Sequence, residues 1–322
     1  MSLPQFSSLL KRIETSSINA TDMSHIWAEV RRILKSNDAA ERSRGFLVLK
    51  NCIRHQTKSV PSLRLEILET LKLHLGDWLH KQEVVRLLVD TVTDAATLHK
   101  FVASSQLGRL LVQWLFETSA KEYIVQILVR LFKRCYTSLA PDTVVRLTNK
   151  ICDDCNEGLD LAGVSKPSSI STSMRMADVI VRYGELPVSC IDHFNKTLCR
   201  MVNVQSTESW RLMQNLLRCP SRGTIVQYSL LKMLDKPEKV MPQASRSGIL
   251  RGAVFFVGMS AWGSQRVESL RSPYIAILPS LRDVLANNDR VVMYEVLLSL
   301  QRLVRKYGAG LRIEWDIVLE IL

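Results

Sequence analysis

Hydrophobic residues recur at helical spacing along most of this chain. The spacing i, i+3, i+4, i+7, i+8 is followed without a miss by Ile124, Ile127, Leu128, Leu131, Phe132 and Cys135. Similar stripes run through residues 26–34, 144–155, 191–202 and 210–217. Because each stripe can bury one helix face while the polar residues between stay in water, the pattern predicts an all-α protein. The low glycine content, 13 of 322 residues, also favours helices over turn-rich β structure.

Two helical hairpins, one near each end of the chain, match each other at a constant offset. The matching residues are Arg31, Leu34, Asn37, Asp38, Leu49 and Arg54 in the first copy, and Arg282, Leu285, Asn288, Asp289, Leu300 and Arg305 in the second. Asp38 and Asp289 are each expected to cap the longer second helix by accepting its free N–H groups. Thr21 or Asp22 is expected to cap the first helix of the first hairpin. Such hairpins are similar to HEAT repeats, which are about 40–47 residues long and stack into a solenoid.

The sequence therefore predicts one HEAT-type α-solenoid of stacked antiparallel helix pairs over residues 1–322. Two long loops are expected within it, at residues 158–172 and 235–247, where glycine, proline, serine and threonine interrupt the helical pattern. They do not demand a domain boundary, since a solenoid continues through its loops. The chain stops inside an apolar helical pattern that begins at Trp315, so we expect it to be a fragment of a longer protein.

The formal net charge is +12, and the basic excess is spread over both halves of the chain. This charge suits an acidic protein partner or an anionic surface, although ordinary solvated helix faces are the simpler interpretation. Nucleic acid stays open as an alternative partner, but the aromatic residues fall mostly in the apolar stripes and are not interleaved with Lys and Arg. Seven scattered cysteines and the lack of an apolar leader indicate a reducing, cytosolic environment.

Candidate chemical motifs are few. Cys152 and Cys155 form a CxxC pair without a second ligand pair, so core packing is a better explanation than zinc or redox chemistry. A looser group on a partly buried helical stripe consists of Cys190, His193 and Cys199. Residues 258–263 miss the nucleophile elbow by one residue and lack its strand-to-helix context. With no phosphate loop, HExxH or dinucleotide motif present, no catalytic residue, metal or cofactor is predicted, and the chain is not expected to be an enzyme.

The segment from Ile249 to Gly263 is an apolar helical pattern that contains glycine. Glycine weakens a helix interior by about 1 kcal/mol relative to alanine. Gly252 and Gly258 nevertheless stand among large side chains such as Trp262, so we expect them to be close-packing positions where another backbone approaches. The apolar run Gly252–Gly263 is well short of the roughly 18–20 residues that a transmembrane helix needs.

This segment and its continuation strongly resemble the amino-terminal region of the tuberin family. The resemblance is carried by Ile249–Gly263, Arg266, Leu270–Pro273, Leu278–Ser280, Tyr294–Glu295 and Trp315–Ile317. A patchier collinear match covers residues 178–217. The resemblance implies a HEAT-type scaffold that binds the coiled coil of hamartin, in the complex that restrains the GTPase Rheb and target-of-rapamycin signalling. It also implies a cytoplasmic location, with peripheral attachment to lysosomal or vacuolar membranes through the complex.

The GTPase-activating domain of that family lies far C-terminal of the matched region. Rheb is therefore expected to be a partner only through a domain that this chain does not contain, and no small-molecule substrate is expected. Arg302, Arg305 and Lys306, on the polar face of the last long helix, are the candidate partner-binding residues; ordinary solvation is the alternative. The alternative function is a basic HEAT module that binds nucleic acid or another cargo.

Overall fold

The fold is built from helices throughout the described ranges. The computed structural model describes residues 3–56, 60–74, 77, 80–91, 112, 121–160, 167–235, 242–262, 277–286, 289–308 and 315–321. Contacts between residues divide the chain into two compact units, Met1–Thr143 and Val144–Leu322. The prediction of an all-α protein is confirmed, whereas a single solenoid over the whole chain stays a prediction. No helix in the described ranges is both long enough and apolar enough to cross a bilayer.

The first unit holds six described α-helices. They are α1 (Leu3–Thr15), α2 (Ala20–Leu34), α3 (Ala39–His55), α4 (Arg64–Leu73), α5 (Lys81–Thr91) and α6 (Lys121–Cys135). Short 3₁₀ helices occupy Val60–Leu63 and Tyr136–Ser138. Helix α3 packs against α1, α2 and α5, and α5 in turn packs against α4 and α6. The apolar stripes meet in these contacts, so Trp27 and Phe46 are buried.

A buried glutamine at the end of α3 holds the link between α1 and α2 in place. The Gln56 side chain donates from Nε2 to the carbonyl oxygens of Ile13 (2.6 Å) and Ser16 (2.7 Å). Its Oε1 accepts from the backbone N–H of Ile18 at 2.9 Å. These hydrogen bonds satisfy backbone groups at the end of α1 and in the link to α2, which would otherwise be buried without partners.

The second unit is also a stack of helices. Helix α7 (Pro141–Asp160) leads into it and is followed by α8 (Pro167–Tyr183), α9 (Ile191–Met201), α10 (Ser206–Arg218), α11 (Gly223–Asp235), α12 (Gln243–Trp262), α13 (Leu278–Leu285), α14 (Arg290–Tyr307) and α15 (Trp315–Ile321). A 3₁₀ helix at Val188–Cys190 precedes α9. Helices α9, α12 and α14 pack in succession in one layer, and α11, α13 and α15 pack in succession in a second.

Side-chain hydrogen bonds link successive helices of a layer at a regular spacing. Asn156 on α7 donates to Thr197 on α9 across a separation of 41 residues. Arg251 on α12 donates to Glu295 on α14 across 44 residues. These separations fall in the range of a HEAT repeat. Equivalent positions of neighbouring repeats are therefore in contact, as a stacked solenoid requires.

The two matching hairpins are α2–α3 and α13–α14, and their predicted caps are confirmed. Asp38 accepts from the N–H of Ala40 at 2.9 Å. Asp289 accepts from the N–H groups of Val291 (3.0 Å) and Val292 (3.3 Å).

The expected cap of α2 is wrong. Neither Thr21 nor Asp22 caps this helix; Asn19 does, accepting from the N–H of Asp22 at 2.7 Å. An asparagine is as good an N-cap as an aspartate, and its position two or three residues earlier lets the helix begin at Ala20.

Both predicted loops are shorter than expected, because the neighbouring helices extend into them. Helix α7 continues to Asp160, and α8 begins at Pro167, so residues 158–160 and 167–172 are helical. Proline is tolerated at the first helical position, and the serines that follow it suit a first turn. Helix α12 likewise begins at Gln243, inside the second predicted loop. Residues 161–166 and 236–241 lie outside the described residues.

Candidate functional site

The candidate site lies where α12 meets its two neighbours in the second unit. Gly252 stands on α12 directly against Cys199 of α9. A Cβ built on Gly252 would lie 2.5 Å from the Cα and 2.6 Å from the carbonyl carbon of Cys199, distances that real Cβ atoms essentially never show. The obstacle is backbone, which cannot rotate away. The α12 and α9 backbones therefore approach each other at a point where only glycine fits.

Gly258, about two turns further along α12, faces α14 instead. A Cβ built there would lie 2.8 Å from Oγ and 3.2 Å from Cβ of Ser299, and 3.4 Å from Nε1 of Trp262. These neighbours are side-chain atoms, so the approach is less strict than at Gly252. The two glycines thus lie on different seams, Gly252 between α12 and α9 and Gly258 between α12 and α14.

A buried carboxylate joins α12 to α14 beside these glycines. The Glu295 side chain on α14 is only 4% exposed. It accepts from Arg251 Nε at 3.4 Å and from Arg302 Nη1 at 3.1 Å. A buried carboxylate is costly unless cations and hydrogen bonds satisfy it, so the two arginines hold Glu295 in place.

Arg302 has a second contact within the protein. Its guanidinium carbon lies 5.6 Å from the ring centroid of Phe255, which is a cation–π distance. Phe255 in turn meets Trp210 edge-to-face, with ring centroids 6.3 Å apart. Arg302 is therefore bound within the seam between α12 and α14, and its side chain is 33% exposed.

Arg305 and Lys306 differ from Arg302, because both are exposed in the last turn of α14. Positive charge at a helix C-terminus is favourable, which accounts for their position locally. The Lys306 Nζ lies 5.6 Å from the ring centroid of Tyr307. The structure thus places two of the three predicted partner-binding residues on the surface and the third in an internal contact.

Helix α14 also exposes apolar side chains that the sequence analysis missed. We define the α14 outer face as Met293, Tyr294, Leu297 and Val304, which share one side of the helix and are 41–63% exposed. Arg290, Gln301 and Arg305 lie on the same side at helical spacing. The opposite side carries the core stripe Val292, Val296, Leu300 and Leu303. The sequence signal for this face is a helix that is apolar on both sides, although that signal does not show which side the core covers.

The cysteine pair packs in the core, as predicted. Cys152 and Cys155 are buried, and burial raises the pKa of each thiol to about 12. Such thiols stay protonated at neutral pH and are poor nucleophiles and metal ligands.

The looser group also lies along a partly buried helix face, as expected. Cys190 and Cys199 are buried, and His193 at the edge lies 3.3 Å from a carboxylate oxygen of Asp153. Across the described ranges, no three His, Cys, Asp or Glu side chains come together in a way that could hold a metal ion. Gly258 to Trp262 belong to α12, so the nucleophile-elbow context is absent there; Gly263 lies outside the described residues.

Comparisons with known proteins agree with this architecture. The family model described as "Domain of unknown function (DUF3384)" matches residues 3–322. The solved structure "Structure of the TSC2 N-terminus" aligns with a TM-score of 0.74 at 14% identity, covering 99% of this chain and 87% of that chain. The predicted HEAT-type α-solenoid, and at the level of fold the resemblance to the tuberin (TSC2) amino-terminal region, are thereby confirmed.

Two crystal structures of engineered proteins are more distant. The first aligns with a TM-score of 0.45 at 14% identity, covering 98% of this chain and 77% of its own. The second aligns with a TM-score of 0.40 at 12% identity, covering 89% of this chain and 98% of its own. Neither bears on function.

Proposed function

We propose that this chain, which belongs to the DUF3384 family and has the fold of the TSC2 N-terminus, is a non-catalytic protein-interaction scaffold. Its proposed partner is a helical coiled coil, and the resemblance to tuberin makes hamartin the specific candidate. The observation that carries this proposal is the α14 outer face, an apolar surface on a helix that the stack holds in place.

The chemistry of the outer face suits a helical partner. Tyrosine and aliphatic side chains at helical spacing can bury the apolar stripe of an approaching helix. Tyr294 is 63% exposed and supplies the large amphipathic side chain that interfaces favour. Leu297 and Val304 extend the same stripe along α14.

Basic residues border the outer face and favour an acidic partner. Arg290 and Arg305 lie on the same side of α14 as the apolar stripe, and Lys306 follows in its last turn. Charges at the rim of an interface speed the encounter and select the partner more than they add affinity. We assign this role to Arg305 and, at the C-terminal end of the helix rather than on the outer face itself, to Lys306. Arg302 is proposed to support the face from behind, because it binds Glu295 and Phe255.

The wider role follows from the tuberin resemblance. We propose that the scaffold acts in a hamartin complex that restrains Rheb and target-of-rapamycin signalling, in the cytoplasm or at the membrane where the complex assembles. Stimulation of GTP hydrolysis is assigned to a domain outside this chain. The role of the present chain is therefore to hold the complex together.

Leu297→Glu tests the outer face, because it places a charge in the middle of the apolar stripe. We expect the affinity for the hamartin coiled-coil region, measured by isothermal titration calorimetry, to fall by at least about tenfold, since a desolvated charge replaces an apolar contact. Leu297 is 43% exposed, so the melting temperature should change little. Charge reversal of Arg305 and Lys306 together should weaken binding most at low salt.

The matched control is Leu73→Glu on α4. Leu73 is 72% exposed, so this variant makes the same chemical change at an exposed leucine of the other unit. Its affinity should equal that of the wild type. Equal affinities for the wild type, Leu297→Glu and Leu73→Glu would show that the α14 outer face is not the binding surface.

A further inference from the structure

The first unit contains a cavity of about 520 Å³ to which the scaffold role assigns no function. It is lined by residues of α3 and α5, by His80 just before α5, and by Gln126 of α6. Its volume falls within the range of small-molecule sites, about 300–1,000 Å³. The described lining residues all belong to the unit Met1–Thr143.

The charged lining of this cavity is unbalanced. Lys50 and Arg54 on α3 and Arg86 on α5 contribute three cations, and Glu83 on α5 contributes one carboxylate. Helical spacing explains the convergence, because Lys50 and Arg54 are four residues apart and so are neighbours on one face of α3. Neither Lys50 nor Arg54 pairs with a carboxylate among the described residues. The described lining thus has a net charge of about +2, which favours an anion over a cation.

Apolar side chains form another part of the described lining, beside the polar Ser43, His80 and Gln126. Phe46 and Leu47 on α3 and Leu87 on α5 contribute ring and aliphatic surface. Small-molecule sites typically combine such a lining with a few polar groups that fix orientation. A bare inorganic ion would leave this apolar surface without contact. The lining therefore suits an anion that is attached to an apolar body.

A buried histidine in the lining has an unsatisfied nitrogen. His80 is only 5% exposed, and its ring centroid lies 5.1 Å from that of Phe46. Its Nδ1 is 3.4 Å from the Ser43 hydroxyl oxygen, whereas Nε2 has no hydrogen-bond partner in the described part of the chain. Buried polar atoms without partners are uncommon, and each calls for an explanation such as a bound water or a ligand. This orphan atom is an observation independent of the charges.

From these features we infer that the cavity binds a small organic phosphomonoester. A phosphomonoester carries a charge of about −1.5 to −2 at pH 7, which matches the excess of cations in the lining. Lysine and arginine are the side chains that bind phosphate oxygens most strongly. The organic body packs on Phe46, Leu47 and Leu87. The same chemistry is found in a soluble phosphomonoester and in the headgroup of phosphatidic acid.

Isothermal titration calorimetry of the full chain with phenyl phosphate tests this inference. Inorganic phosphate and phenol are the paired controls, because each supplies only one half of the ligand. Phenyl phosphate is expected to bind more tightly than either. Absence of binding, or binding no tighter than that of inorganic phosphate, would overturn the inference.

Three variants separate the effect of the cavity from that of general surface charge. Lys50→Gln removes a lining cation and should weaken phenyl phosphate binding by about tenfold, as expected for a lost charge-assisted hydrogen bond. Arg44→Gln makes the same charge change on the same helix but outside the cavity, and should leave binding unchanged. Arg54→Gln is a second lining variant, at an exposed residue, and should also weaken phenyl phosphate binding. Equal losses in the Lys50 and Arg44 variants would also overturn the inference.

A vesicle arm distinguishes the two sources of the phosphate. The chain is sedimented with phosphatidylcholine vesicles that do or do not contain phosphatidic acid. Co-sedimentation that requires phosphatidic acid, is competed by phenyl phosphate and is lost in Lys50→Gln supports a lipid headgroup. Phenyl phosphate binding without co-sedimentation supports a soluble ligand. Co-sedimentation that Lys50→Gln and Arg44→Gln weaken equally contradicts the cavity as the site.

Discussion

At the scale of single residues, the nature of the neighbouring atom decides how much each glycine matters. Gly252 faces the backbone of Cys199, and Gly258 faces the side chains of Ser299 and Trp262. A hydroxyl group can rotate to admit a methyl group, but a helix backbone moves only with the whole helix. The sequence indicates both positions as close-packing sites, because glycine stands among large apolar residues. It cannot indicate that one of them meets backbone and the other side chain.

Gly252→Ala is therefore expected to be the more harmful substitution. We expect it to lower the free energy of unfolding by about 2–4 kcal/mol, because the overlap with Cys199 forces α12 and α9 apart. Gly258→Ala should cost less than about 1.5 kcal/mol, since the gain in helix propensity of about 1 kcal/mol offsets part of the strain. Urea denaturation, monitored by circular dichroism, measures the free energy of unfolding of both variants. A loss at Gly258 equal to or larger than that at Gly252 would refute the backbone contact.

At the scale of helices, the sequence reveals the periodicity and the caps better than the partners. Asp38 and Asp289 follow asparagine in matching hairpins, so their role as caps can be deduced from local chemistry. The cap at Asn19 is missed because several polar residues stand together there, and each is able to cap.

The α14 outer face is missed for a different reason. Helical spacing shows which residues share a side, but only the tertiary structure shows which side is covered. The contacts of Arg302 cannot be deduced from the sequence either, because its partner Phe255 is distant along the chain. Arg251, the second cation bound to Glu295, is likewise 44 residues away from Glu295. The cavity beside His80 likewise needs α3 and α5 to be placed side by side.

The cap of α14 makes the stability depend on pH. Burial alone would raise the pKa of Asp289, but hydrogen bonds from the Ser247 hydroxyl and from the N–H groups of Val292 and Val291 lower it below its usual value of 3.8. A carboxyl group whose pKa is lower in the folded state stabilises the fold above its unfolded-state pKa. This contribution is lost as the pH falls through the folded-state pKa.

We therefore expect Asp289→Ala to lower the free energy of unfolding by about 1 kcal/mol at pH 7, because the first N–H groups of α14 lose their acceptor. Asp289→Asn keeps an acceptor but no longer titrates. Its stability should fall less than that of the wild type between about pH 5 and pH 3. Urea denaturation over this pH range tests both variants. Parallel pH profiles for the wild type and Asp289→Asn would show that Asp289 does not titrate with folding.

At the scale of the whole molecule, the regular stacking links the fold to the proposed function. Each unit has its own core, and hydrogen bonds at about the repeat spacing join successive helices. Such a stack keeps a helix such as α14 in place while one of its faces remains exposed. An exposed face held in place in this way suits the binding of another protein.

The central claim is that this solenoid binds a coiled-coil partner, and light scattering coupled to size exclusion tests it most directly. The chain is run alone and together with the hamartin coiled-coil region. Both runs are made at physiological salt, where non-specific charge attraction is screened. We predict one peak whose mass equals that of a complex containing both proteins. Two separate peaks, with the masses of the individual proteins, would contradict the proposed function.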